Sequence, residues 1–366
     1  MASGGALIDI GSYGCIFKPA LLCKNQDEEL DDREKANERL HSTLSKLLVK
    51  EHAITEHKIS KMIHKIPLWK NYFAVSESIC KPAMQQVDRD LPSCHLFDEY
   101  KLSELRILTM KYAGKSLRTV RFNYASFDIM KFMIHLLKGC ALLNLNGIVH
   151  HDLHRGNVLV DTHNVPRIID FNLAIDSQGD IKHNLHLGSY SLNYVQQSPD
   201  SILINAITQD YDPEKVINDI VFKKKGIKQL KALLKFSDSE MINGLRTFYS
   251  KSRSAKRKDA ILWFTSYWRT IDSWAIGIMM VELIISLSVS PAFMISFKEH
   301  KSKIITVLKK LCAFNPMERI DAVQAVHYLE PDSIFIKKYG ATWLQLVGDG
   351  MREKHTGIGG DESSSA

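Results

Sequence analysis

The first hundred residues alternate apolar and polar positions in short runs that are bounded by turn residues. Residues 6–17 place apolar side chains around two glycines, which is typical of a strand, a tight turn and a second strand. Residues 44–49 and 105–110 are short apolar runs that predict two further strands. Between them, residues 53–63 repeat apolar positions at near-helical spacing, which predicts a helix. The pattern therefore indicates a strand-rich region with one main helix.

From about residue 115 the apolar period becomes helical. Residues 126–146 carry long apolar side chains at intervals of three and four and end at Gly147, a usual helix stop. A polar loop lies between the apolar pair 148–149 and the apolar triplet 158–160. Residues 212–258 predict a basic helical segment. The low-complexity tail, 351–366, is predicted to be disordered.

One apolar run, residues 275–295, is long enough to cross a membrane and carries a single charge, Glu282. Glu282 and Pro291 interrupt it. We therefore expect a helix that is buried on all sides rather than a membrane span.

Composition agrees with a folded protein, since 45% of the 366 residues are hydrophobic and 24% are charged. The length suits two lobes or one enlarged domain. A formal net charge of +7 is compatible with anionic ligands and does not identify a nucleic-acid binder. The six cysteines are scattered without CxxC or zinc-site spacing, which predicts free thiols in a reducing, cytoplasmic compartment.

The candidate chemistry lies in residues 150–157, which read HHDLHRGN, and in the Asp-Phe-Asn sequence at 170–172. Asp152 is followed five residues later by Asn157 on one loop, and Asp170 ends a predicted strand. Phosphoryl transfer needs a carboxylate that orients the nucleophile and accepts its proton, and hard oxygen ligands for magnesium.

These motifs resemble the catalytic loop and the metal-binding motif of eukaryotic-type protein kinases. The resemblance implies an α+β bilobal fold, with a β-rich N-lobe over 1–113 and a larger helical C-lobe over 114–350. It implies Asp152 as the base, and Asn157 and Asp170 as metal ligands. The implied cofactors are ATP and Mg²⁺, with Mn²⁺ as the alternative ion, and the implied partners are protein substrates.

The nucleotide-binding residues follow from the same resemblance. Residues 9–16 resemble the glycine-rich loop over the phosphates, with Asp9 where the first glycine usually stands, although a hairpin turn explains two glycines equally well. Residues 105–114 resemble the last N-lobe strand running into the hinge. The nucleotide-contacting set is then Ile10, Gly11, Ser12, Tyr13, Gly14, Ile16, Met110, Lys111 and Ala113.

The lysine that anchors the phosphates has two candidates. Lys46 is favoured and would pair with Glu56 on the following helix. Lys50 stands only six residues before Glu56, which leaves little chain to end a strand and present that helix face. Either lysine could instead be a solvated surface charge.

Three motifs in the C-terminal half extend the resemblance. Residues 198–200 resemble the Ala-Pro-Glu motif that closes the activation segment. Residues 272–277 resemble the start of the central buried helix of the protein kinase C-lobe. Arg319 is expected to pair with Asp200. These roles are structural and favour a protein acceptor.

The chain also departs from the family at three positions. His151 replaces the arginine that commonly holds a phosphorylated activation loop, so we expect weak dependence on phosphorylation of that loop. His154 stands where a lysine contacts the transferred phosphate. Asn172 replaces a glycine, and asparagine tolerates the left-handed geometry of that turn.

Two alternatives to a protein kinase stay open. The Asp-Leu-His-x-x-Asn form of the loop is shared with small-molecule kinases of the aminoglycoside and choline type. A pseudokinase that binds partners without catalysis is the other alternative, although it would not need Asp152, Asn157 and Asp170 together.

An insert at about residues 205–268 separates the motifs of the C-lobe and carries basic clusters within 223–258. These clusters predict an anionic partner, or simply a solvated helix face. The insert, the HHDLH loop and residues 10–20 resemble the divergent serine/threonine kinases of large nucleocytoplasmic DNA viruses. That likeness implies a place in the host cytoplasm or the virion.

Overall fold

The structure is a computed structural model that describes residues 5–11, 13–24, 43–84, 93–124, 126–179, 181 and 190–347. Ser12 and the predicted tail at 351–366 lie outside the described residues. Contacts along the chain define two compact units. The first comprises Met1–Lys115 with Arg167–Leu173, and the second comprises Ser116–Pro166 with Ala174–Ala366.

The first unit contains a five-stranded antiparallel sheet in the order β1-β2-β3-β5-β4. Its elements are β1 (Ala6–Ile10), β2 (Gly14–Lys18), β3 (Thr43–Val49), α1 (Lys50–Ile63), α2 (Trp69–Tyr72), β4 (Ser78–Cys80) and β5 (Leu105–Lys111).

Side-chain alternation gives β3 two buried faces. Leu47 packs into a cluster with Phe17 and Ile107 on one face. On the other face, Leu48 packs with Leu108 and with Ala53 of α1. Because Lys46 is two residues from Leu48, it lies on the face that α1 covers.

The second unit is mainly helical. Its helices are α3 (Ile129–Leu145), α4 (Pro199–Ile207), α5 (Pro213–Lys223), α6 (Ile227–Leu234), α7 (Asp238–Lys251), α8 (Arg253–Arg257), α9 (Ala260–Tyr267), α10 (Ile271–Leu287), α11 (Pro291–Leu311), α12 (Ala322–Leu329) and α13 (Ala341–Val347). The described residues form five further short strands, of which β6 and β9 have residues in both units: β6 (Lys115–Ser116), β7 (Ile148–Val149), β8 (Val158–Val160), β9 (Pro166–Ile168) and β10 (Ile175–Asp176). A sheet unit with one main helix and a helical unit confirm the predicted fold class.

The predicted apolar helix at 275–295 corresponds to α10 only as far as Leu287, and a second helix, α11, begins at Pro291. Val289 and Ile295 are exposed, so the expectation of one helix buried on all sides is wrong for residues 288–295. The helical run Ala260–Leu287 is apolar enough to cross a membrane, but 83% of its most apolar window is buried inside the protein. A membrane span is therefore not supported.

The insert is folded rather than extended. Helices α5 to α7 bury one apolar face each, with Ile217, Leu230 and Leu245 fully buried. Asp212 and Ser237 cap the first turns of α5 and α7 by accepting from backbone amides. The basic side chains of the insert mostly point to solvent.

The predicted pair of Arg319 and Asp200 is confirmed. Arg319 donates from Nη2 to Asp200 Oδ1 at 2.6 Å, and both side chains are completely buried. Asp200 also accepts from Trp263 Nε1 at 2.9 Å, while Arg319 donates to the Ala313 carbonyl. This pair fixes the start of α4 to the segment that precedes α12.

Four of the six cysteines form disulfides, so the prediction of free thiols is wrong for them. Cys15 pairs with Cys94 and Cys23 pairs with Cys80. The partners are separated by 79 and 57 residues, and the folded sheet unit rather than local spacing brings them together. Cys140 and Cys312 are free and buried.

We expect Arg319→Met to lower the free energy of unfolding by about 3–5 kcal/mol, because it leaves the buried Asp200 carboxylate without its counter-ion. Denaturant unfolding followed by tryptophan fluorescence measures the change. The matched control is Arg246→Met, which breaks an exposed ion pair with Glu214. That control should cost less than about 1 kcal/mol. Equal losses in the two variants would contradict the role of the buried pair.

Alkylation followed by mass spectrometry tests the disulfides. The folded protein should take up little label, because burial raises the pKa of Cys312 to about 12 and that of Cys140 well above its ordinary value. Unfolding without a reductant should expose two thiols, and unfolding with a reductant should expose all six. Labelling of Cys15 or Cys80 without a reductant would show that the pairs do not form.

Candidate active site

A buried lysine joins two carboxylates in the first unit. Lys46 donates from Nζ to Glu56 Oε2 at 2.9 Å and to Asp170 Oδ1 at 2.7 Å. Lys46 and Glu56 are 6% and 3% exposed. The structure thus brings together three of the residues that the sequence marks as candidates.

The choice between Lys46 and Lys50 is explained by the way β3 runs into α1. The strand ends at Val49, and Lys50 is already the first residue of the helix, where its side chain is exposed. No loop separates the two elements, so ten residues suffice for Lys46 to meet Glu56. The lysine that contacts Glu56 is therefore Lys46.

The electrostatics keep Lys46 charged. Burial alone would lower the pKa of its amine, but the charges of Glu56 and Asp170 outweigh the burial and raise the pKa above its ordinary value. A permanent positive charge at this point suits a group that neutralises phosphate oxygens.

The residues on either side of Asp170 contact residues 73 and 74 of the first unit and hold Asp170 in place. The amide of Ala74 donates to the Ile168 carbonyl, and the ring of Phe171 packs against Phe73 at 6.0 Å. Asp170 itself has a left-handed backbone, with φ of 64°. Asn172 is not among the described non-glycine residues with positive φ, so this turn does not use the left-handed geometry that asparagine would tolerate there.

The predicted nucleotide residues lie around the β1–β2 hairpin and the end of β5. The amide of Gly11 donates to the Gly14 carbonyl at 2.8 Å and closes the turn. A Cβ on Gly14 would lie 2.3 Å from the Leu47 carbonyl oxygen, so close strand packing alone requires that glycine. Ile10 is exposed at the hairpin and Ile16 is half-buried on β2.

Two of these residues share the face of the sheet that carries Lys46. Tyr13 and Met110 pack against the cluster of Leu48, Ala53 and Leu108. Lys111 ends β5 with an exposed side chain, and Ala113 follows in the connection to the second unit. An apolar surface next to a buried cation suits a nucleotide base with its phosphates.

In the second unit, a buried carboxylate shapes the loop that carries Asp152. Asp272 at the start of α10 accepts from the amides of His150 at 2.7 Å and His151 at 2.9 Å. His151 has a left-handed backbone, with φ of 68°. Burial raises the pKa of Asp272 against the pull of these bonds. The loop is thus tied to a largely buried helix.

Both oxygens of Asp152 are oriented by amides. Asn157 donates from Nδ2 to Asp152 Oδ2 at 3.3 Å and to the Asp152 carbonyl at 3.0 Å. Gln196 donates from Nε2 to Asp152 Oδ1 at 2.8 Å. His154 accepts from the Gly156 amide and keeps Nε2 3.7 Å from Asp152 Oδ2.

Sequence reasoning missed Gln196. The residue lies two positions before Ser198, outside every motif that the sequence marks, and its contact with Asp152 spans 44 residues. No local pattern could have identified it.

Each unit contains an oxygen group of the kind that a hard cation prefers. Asn157 uses Nδ2 for both of its bonds to Asp152, which leaves its carbonyl oxygen as the ligand atom, and Asp170 offers a carboxylate. Cys15, Cys94 and His95 also lie within 4.8 Å of one another. The two sulfurs are joined in a disulfide, so they do not provide thiolate ligands.

Comparisons with known proteins agree with this fold. Residues 98–212 match the family model described as protein tyrosine and serine/threonine kinase. Sperm motility kinase 2B of Mus musculus is 27% identical over 186 residues, which cover 48% of this chain and 35% of that protein. The chain thus spans about a third of the length of this relative. The chain has a protein kinase fold, and the two matches support a place in the protein kinase superfamily.

Proposed function

We propose that this protein transfers the γ-phosphate of ATP to serine or threonine hydroxyls of protein substrates, with Mg²⁺ as the metal. The observation that carries the proposal is the buried Lys46, whose ammonium is held between Glu56 and Asp170. A cation anchored in this way is suited to steady phosphate oxygens, and it lies on the same face as Tyr13 and Met110.

The other roles follow from the contacts of each residue. Asp152 orients the acceptor hydroxyl and takes its proton, since Asn157 and Gln196 hold its two oxygens in place. Glu56 positions Lys46. From the resemblance of their motifs, Asn157 and Asp170 would each supply an oxygen ligand to Mg²⁺, which would neutralise charge on the phosphate oxygens. His154 lies beside Asp152 and can contact the transferred phosphate.

The choice of a protein acceptor is supported by the structural residues of the second unit. Asp200 pairs with the buried Arg319, and Asp272 anchors the loop of Asp152. The motifs that carry these three residues resemble those of protein kinases, and small-molecule kinases generally lack them. Three statements stay predictions from sequence motifs. They are the preference for serine and threonine, the likeness to kinases of large DNA viruses, and the place in host cytoplasm or virion.

An acceptor panel tests this function. Wild type and Asp152→Asn receive γ-labelled ATP and Mg²⁺ with casein as an acidic protein, histone as a basic protein, an aminoglycoside or choline. We expect the wild type to label a protein on serine or threonine, as read by phosphoamino-acid analysis. Asp152→Asn should be at least about a hundredfold slower, because the proton acceptor is lost.

The other outcomes separate the alternatives. Labelling of choline or the aminoglycoside alone would assign a small-molecule kinase. ATP binding without transfer to any acceptor would assign a pseudokinase. Near-normal transfer by Asp152→Asn would refute Asp152 as the base.

A further inference from the structure

Lys224 of the insert points inward, unlike its neighbours. It lies between α5 and α6 and is 4% exposed, whereas Lys223 and Lys225 are exposed. Its Nζ donates to the Tyr194 carbonyl at 2.6 Å, and the Val195 carbonyl lies 3.4 Å away. The insert therefore holds the backbone of a segment that directly precedes Gln196.

Three further contacts hold the same stretch, which we call segment 192–196. The amide of Lys225 donates to the Leu192 carbonyl at 3.0 Å, and Trp274 Nε1 donates to the Val195 carbonyl at 3.1 Å. Gly226 has φ of 90°, and a Cβ there would lie 2.8 Å from Val195 Cγ1. The insert is thus fitted closely to segment 192–196.

Segment 192–196 ends at a residue that contacts the proposed base, Asp152. Gln196 follows Val195 directly, and its side-chain amide donates to Asp152 Oδ1 at 2.8 Å. A shift of the Val195 backbone would move this amide away from the carboxylate. The insert is therefore linked to Asp152 through two adjacent residues, Val195 and Gln196.

The buried amine is costly to maintain. Burial lowers the pKa of Lys224 to about 7, and the nearby charge of Glu282 offsets only part of that effect. A methionine would fill the same space without this cost. Lys224 thus contributes donors to two carbonyl oxygens rather than general stability.

We propose that Lys224 is a positioning residue that holds segment 192–196 in place, so that Gln196 can orient Asp152 toward the acceptor. The insert then substitutes for a phosphorylated activation loop, in keeping with the replacement of arginine by His151. The inference rests on the proposed function, because Asp152 is taken as the residue that orients the acceptor.

Hydrogen exchange tests the contact without any activity. The amide of Gln197 donates to the Tyr194 carbonyl, so it reports on the turn that Lys224 holds. Lys224→Met should exchange the amides of residues 193–197 at least about tenfold faster than the wild type. Lys225→Met is the matched control, because it makes the same substitution at an exposed neighbour and keeps the backbone bond of residue 225 to Leu192. Equal exchange in all three proteins would overturn the inference.

Steady-state kinetics on the best protein acceptor then test the consequence. Lys224→Met should lower kcat/KM for the acceptor at least about tenfold and leave KM for ATP within about twofold. Lys224→Arg keeps donors and should fall closer to the wild type than to Lys224→Met, and Lys225→Met should match the wild type. Unchanged acceptor kinetics, or an equal rise in KM for ATP, would overturn the positioning role. A wild type that labels no protein refutes the proposed function, whereas the exchange result still decides whether Lys224 holds the segment.

Discussion

The ammonium of Lys46, buried between two carboxylates, is the constraint on which the first unit depends. A buried charge is tolerated only when its partners are placed well. Three elements meet here: β3 supplies Lys46, α1 supplies Glu56, and the segment 167–173 supplies Asp170. The direct passage from β3 into α1 shortens the path between Lys46 and Glu56 to ten residues.

The second unit uses buried carboxylates in the same way. Asp272 accepts from two backbone amides and so shapes the loop of Asp152, while Asp200 pairs with Arg319 and fixes the start of α4. Neither group is placed to react. Each buried charge fixes a stretch of backbone, and Asp272 in this way positions the loop of the half-buried Asp152.

The sequence predicts the secondary-structure elements and the candidate catalytic residues better than it predicts which distant residues contact each other. The apolar periods locate β3, β5 and α3, because these patterns are local. The disulfides, Gln196 and Lys224 were missed, because each depends on residues that the fold brings together over 30 to 79 positions. Lys224 in particular looks like any other lysine of a basic cluster until its carbonyl partners are known.

A double-mutant cycle on single-turnover phosphoryl transfer tests the central claim most directly. The variants are Lys46→Met, Glu56→Gln and the two combined, with Lys50→Met as the control. If Glu56 acts only by positioning Lys46, the double variant should be no more than about twofold slower than Lys46→Met, and Lys50→Met should match the wild type. Losses that multiply, or an equal loss in Lys50→Met, would contradict the account.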